Sequence, residues 1–114
     1  MLVLKIGKLV LEKELADDPL KRVRGLMFRR RLDKALLFVL PEETKMGAAI
    51  HSYFVFFPFD IIWLNRDKKI VDMRTVRPFR LFEAPGKRAK YFIELPAGSI
   101  KKAKIKIGDK INLN

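Results

Sequence analysis

Residues 50–65 hold the side chains best suited to chemistry: Ile-His-Ser-Tyr-Phe-Val-Phe-Phe-Pro-Phe-Asp-Ile-Ile-Trp-Leu-Asn. This stretch is strongly apolar and aromatic, yet it keeps two ionisable groups. His51 is the sole histidine of the chain and its natural group for titration near neutral pH. Asp60 is a lone acid among large apolar residues and needs a partner wherever it is buried. An arginine is the expected partner, because a guanidinium can bond a carboxylate through two parallel N–H groups. Arg24 is the candidate, with Asp60 or Glu94 as its acid. Arg24, His51, Asp60 and Glu94 therefore form the candidate binding pocket.

Each member also has a plainer reading. His51 suits a core or rim histidine bonded to a backbone carbonyl better than a general base, since no nucleophile is evident near it. Strand alternation sends Ser52 to the face opposite His51, which argues against a Ser–His pair. Asp60 reads as a structural ion pair or turn acceptor, and Glu94 as an anchor beside Leu95-Pro96. No paired carboxylates, phosphate-cradling glycine loop or metal-ligand spacing appears, so the residues argue against an enzyme and call for no cofactor or metal. With no cysteine and one histidine, thiolate chemistry is excluded and a histidine zinc site is disfavoured.

The elements that must position these groups are mostly strands. Residues 2–6 and 9–15 alternate and flank a turn at Gly7-Lys8. Asp17-Asp18-Pro19 starts a helix, with Leu20, Val23 and Met27 at helical spacing, so one short α-helix is expected near residues 18–30. Gly25 within it suggests close packing on a sheet. Residues 35–40 form a continuous apolar run, expected to end at Pro41. Residues 49–56 and 59–64 read as two strands of a central hairpin folded at Pro58, and residues 69–75 as the next strand of a meander. Residues 77–87 are a long loop, 89–95 a strand, 96–99 a turn or short helix capped by Ser99, and 110–113 a last strand. The fold class is mainly β: a sandwich or partly open barrel of short, mostly antiparallel strands. At 114 residues the chain suits a single domain over residues 1–114.

Charge and composition narrow the function classes. Lys and Arg exceed Asp and Glu by 12. That excess suits a polyanion, and weak nonspecific nucleic-acid binding is expected from it. The basic clusters are spread along the chain without a groove-reading or RNA-stacking motif. No run approaches the roughly 18 to 20 apolar residues of a membrane helix, and the N-terminus reads as a strand, so a cytoplasmic location with no membrane is expected. The absence of glutamine and the wealth of Lys, Arg and Glu resemble thermophile composition. Aromatics beyond what one small core absorbs suggest a homodimer interface.

An ordered set of motifs carries a resemblance. Arg24-Gly25-Leu26-Met27-Phe28-Arg29, Leu37-Phe38-Val39, Ile50-His51-Ser52-Tyr53-Phe54, Phe57-Pro58-Phe59-Asp60-Ile61-Ile62-Trp63-Leu64, Tyr91-Phe92-Ile93-Glu94-Leu95-Pro96-Ala97-Gly98 and Gly108-Asp109 follow one another. Over roughly residues 15–113 the chain resembles the DUF192 (UPF0127) family of small uncharacterised proteins. The resemblance implies a β-sandwich with a short helix and no stated activity. Two departures stand out: Lys34-Ala35-Leu36 where members typically carry Gly-Met, and Ile50-His51-Ser52-Tyr53 where many bacterial members carry Trp-Met-Lys-Asn-Thr. The favoured function is a small binding module for a polar or anionic ligand or a protein partner. The alternatives are a nucleic-acid-binding accessory protein using its basic clusters, and an enzyme with His51 as general base.

Overall fold

The computed structural model describes residues 3–16, 31–52, 55–80 and 82–113. Strand β1 (Val3–Ile6) and strand β2 (Leu9–Ala16) form an antiparallel hairpin with Ile6 opposite Leu9. The two-residue loop puts Gly7 first, at φ 56, where a left-handed residue matches the twist of the flanking strands. Leu4 and Ile6 point inward and Val3 and Lys5 outward, the period-2 pattern of a strand with one buried face. The expected helix near residues 18–30 lies outside the described residues.

Strand β3 (Ala35–Thr44) pairs in parallel with β2 and antiparallel with β6 (Ala89–Pro96). Strand β4 (Phe59–Leu64) lies between β6 and β5 (Ile70–Val76), antiparallel to both. The order β1-β2-β3-β6-β4-β5 makes one curled six-stranded sheet, a half-barrel. The expectation of a mainly β, mostly antiparallel fold holds. A short helix, α1 (Ser99–Ala103), follows β6.

Three boundaries differ from those expected. β3 runs through Pro41 to Thr44. Its pairing with β2 ends at Phe38, and its register with β6 shifts between Val39 and Thr44, so Pro41 sits where a missing N–H breaks no ladder bond. The described residues within 49–56 form no sheet strand: Ile50 alone of them pairs, in an isolated bridge with Glu83. β4 takes β6 as its partner, so there is no hairpin at Pro58. The 49–56 stretch is apolar because it lies over the sheet, with Ala48 and Val55 buried and Ile50 and Phe57 packed against the same cluster. Residues 110–113 contribute only a bridge between Lys110 and Lys69, although Ile111 and Leu113 are buried.

The sheet has two apolar faces. One carries Leu36, Phe38, Phe59, Ile61, Trp63 and Phe92 beneath the 45–58 segment. Phe38 stacks on Phe92 at 4.4 Å, and the Trp63 indole N–H donates to Ala48 O at 2.8 Å, tying the covering segment down. The other face carries Leu37, Ile62, Leu64, Ile93 and Leu95 beneath β1, α1 and the C-terminal segment.

The β1–β2 turn and α1 meet closely: Lys8 N–H donates to Ala103 O at 3.3 Å, and a Cβ on Gly7 would lie 2.2 Å from that same oxygen. Gly98 also has positive φ, 91°, but faces open space. Gly7→Ala should therefore cost at least about 2 kcal/mol, combining left-handed strain with a backbone clash, while Gly98→Ala should cost about 1 kcal/mol from strain alone. Guanidinium unfolding midpoints of the two variants check the order.

Candidate functional site

Asp60 is 1% exposed on a strand whose every residue is buried. It faces the α1 side of the sheet with Ile62 and Leu64. Thr75, directly opposite on β5, donates its hydroxyl to Asp60 Oδ1 at 2.7 Å. Ile100 N–H donates to Asp60 Oδ2 at 2.9 Å. Both oxygens are thus engaged, by a hydroxyl and a backbone amide.

The Ile100 bond also caps α1. Gly98 is the N-cap and has no side chain to offer, and Ser99 Oγ turns back to Pro96 O at 2.5 Å. Ser99 is therefore not the cap. A first-turn N–H lacks a partner within its own helix, and a carboxylate is well placed there because it also meets the positive end of the peptide dipoles. Asp60 supplies from forty residues away what the local sequence does not.

Glu94 is also buried, but it pairs across the sheet with Leu36 and Ile61, on the face opposite Asp60. Asp60 and Glu94 therefore look into different cores and do not line a common cavity. Arg24 lies outside the described residues. His51 is exposed.

Ser52 is fully buried and organises its surroundings. Its Oγ donates to Arg77 O at 2.7 Å and accepts from Arg80 N–H at 2.6 Å. Its backbone N–H donates to Arg80 O at 2.7 Å, and its carbonyl accepts from Phe79 N–H at 2.9 Å. His51 is exposed where Ser52 is buried, and the Ser52 hydroxyl is spent on holding the 77–80 loop. Phe79 takes a left-handed backbone conformation, φ 62, which costs a non-glycine residue about 1–2 kcal/mol and persists only where neighbours impose it. Here Ser52 imposes it.

The loop so held displays aromatic and cationic side chains. Phe56, Phe79 and Phe82 are 60%, 56% and 56% exposed. Phe56 and Phe79 meet edge to face at 5.6 Å. Arg77 and Arg80 are exposed beside them. The Ile50–Glu83 bridge closes the far side of the loop, flanked by exposed His51 and Phe82. The role of Ser52 was not legible in the sequence.

Arg74 also escaped the sequence reading. It bonds Asp72 at 2.7 Å, Glu83 at 3.0 Å and Ala84 O at 3.0 Å, and its guanidinium lies 4.9 Å from the Trp63 ring centre. Asp72 takes a further bond from Gly86 N–H at 2.8 Å. The 83–86 stretch is thereby clamped to β5. The available signal was Asp72-x-Arg74 on alternate positions of one strand face. Among the described residues, no group of three or more metal-ligating side chains occurs. No helix among them is long and apolar enough to cross a membrane.

Burial pushes the Asp72 carboxyl up, but bonds from Gly86, Arg74 and Met73, with the Arg74 charge, outweigh it and hold the group below its ordinary value. A depressed folded-state value means stability that is fully present above the unfolded value and lost as pH falls toward the folded one. Asp72→Asn should flatten the loss of stability between about pH 5 and pH 3 relative to the parent protein. Chemical unfolding at the two pH values checks this. Asp60→Ala, which leaves Ile100 N–H without its acceptor, should cost about 2–3 kcal/mol in the same assay at neutral pH.

The DUF192 family model, described as an uncharacterized ACR, matches residues 2–113. A UPF0127 protein of Thermococcus kodakarensis is 43% identical over 99 residues, which cover 87% of this chain and 62% of that protein. This chain thus spans under two thirds of that relative's length. A UPF0127 protein of Pyrococcus abyssi is 44% identical over 98 residues, covering 86% of this chain and 82% of its own. Both come from thermophilic archaea, in keeping with the composition. A crystal structure from Sinorhizobium meliloti 1021, described as a candidate transcription regulator, superposes with a TM-score of 0.83 at 26% identity. It covers 96% of this chain and 89% of that one.

Proposed function

The chain belongs to the DUF192 (UPF0127) family, and we propose that it is a small binding module that docks an acidic, apolar-tipped segment of a partner protein on its 77–82 loop. The observation that carries this reading is the strained, exposed Phe79, pinned by Ser52. Holding a large aromatic ring mostly out in water at a conformational cost gives the fold little beyond its edge contact with Phe56. It has a binding benefit, because a rigid ring loses little entropy when a partner covers it. Aromatic and arginine side chains together are the composition that dominates interface energetics. Arg77 and Arg80 set the charge of the partner, since no acid lies between residues 77 and 82.

A nucleic-acid role is a second reading. It is favoured by lysines from separate segments that meet at the far end of β5, and by the description of the Sinorhizobium neighbour. An enzyme reading gains little support, because the hydroxyl nearest His51 in sequence is committed to backbone groups.

A short peptide rich in Asp and Glu with one central Phe serves as the probe. Amide resonances titrated with it should shift at residues 51, 56 and 77–82. Phe79→Gly relieves the left-handed strain while removing the ring, so the fold should be kept and affinity should fall about tenfold, near 1.4 kcal/mol. Shifts scattered over the surface, or an unchanged affinity in the variant, would rule out the assigned surface.

A further inference from the structure

The basic clusters look dispersed along the chain, but the fold gathers several at one end of the sheet. The turn between β4 and β5 brings Lys68 and Lys69. The segment after α1 brings Lys106 and Lys110. Main-chain bonds hold the two segments together: Ile111 N–H to Lys68 O at 2.9 Å, Ile70 N–H to Asp109 O at 2.8 Å, and Gly108 N–H to Ile70 O at 2.8 Å. Lys69 and Lys110 face each other in an isolated antiparallel bridge. Like charges directly opposite are destabilising unless something between them is negative.

Among the described residues, the local acids form no ion pair with these lysines. Asp109 spends its carboxylate on Lys106 N–H at 3.0 Å, and Asp67 lies exposed in the same turn as Lys68. Among the described residues, none of these four lysines is ion-paired. Lys68 is held at φ 64, with its N–H on Asn65 O at 2.9 Å, while Asn65 Oδ1 accepts from the N–H groups of Asp67 and Lys69. This fixed turn borders a cleft of about 420 Å³ lined by Lys68, Lys110, Ile111 and Asn112.

The chemistry of the lining selects the ligand. Lysine ammonium groups are compact point charges that suit phosphate oxygens without reading bases. Among the described residues no aromatic side chain lines the cleft, which gives no platform for stacking unpaired bases. We propose that this lysine cleft grips the phosphodiester backbone of a nucleic-acid duplex, independently of its sequence. The inference rests on the nucleic-acid reading above and gives it a site.

Fluorescence anisotropy with two unrelated DNA duplexes of about 20 base pairs, across salt, tests it. The full chain should bind both alike at roughly 0.15 M salt. Lys68→Ala/Lys110→Ala should weaken binding about tenfold and reduce the slope of log affinity against log salt by about 2. The single reversal Lys110→Glu, confined to an exposed side chain, should act in the same direction, and Arg77→Ala/Arg80→Ala should change little. Binding that is equal in the parent and both lysine variants overturns the site while leaving a nucleic-acid role elsewhere on the chain. No duplex binding at that salt overturns the site and the role together. Tighter binding of the matching single strand overturns the duplex assignment. Binding only to vesicles of phosphatidylcholine with phosphatidylserine overturns it in favour of a lipid surface.

Discussion

Strand β4 is buried on both sides, and everything around it answers to that constraint. Its alternation commits Phe59, Ile61 and Trp63 to one core and Ile62 and Leu64 to another, with Asp60 sharing the second. A carboxylate there must be bonded or it would destabilise the whole sheet. Thr75 and Ile100 N–H bond it, and in doing so they fix β5 and α1 against β4. Once α1 is fixed, Ala103 O receives Lys8 N–H, and the C-terminal segment runs back to β5. A buried charge thus sets the position of a helix too short to be stable alone.

The opposite core ends in a different kind of restraint. Trp63 reaches Ala48, Arg74 clamps Asp72 and Glu83, and Ser52 takes the backbone of Arg77 and Arg80. The long connection between β5 and β6 is consequently tied at both its start and its return. β5 becomes a beam of seven residues, about 20 Å long, with an aromatic–arginine surface at one end and a lysine cleft at the other. The two surfaces share no side chain, which allows them to serve different partners.

Much of this was legible in the residues. Alternation and turn chemistry located β1, β2, β4, β5 and β6. What failed did so for physical reasons. Pro41 was read as a strand end because proline lacks an N–H, but at that point neither neighbour requires one. The 49–56 block was read as a strand because an apolar run reports burial and not ladder pairing; it lies over the sheet instead of joining it. For Asp60 the sequence demanded a partner but could not say which, since Thr75 and Ile100 are distant in the chain and one of them contributes only backbone. The lysine cleft was hidden for the same reason: Lys68 and Lys110 are far apart in the chain until the fold brings them together.

The central claim is that the 77–80 loop is built in advance of any partner, with Ser52 holding Phe79 out. Backbone amide hydrogen exchange at Phe79 and Arg80 tests it most directly, since those N–H groups bond Ser52 O and Ser52 Oγ. A prebuilt loop predicts strong protection of both amides in the free protein, with Arg80 protection lost in Ser52→Ala while β4 amides stay protected. Exchange at unprotected rates at both positions in the parent protein would contradict it.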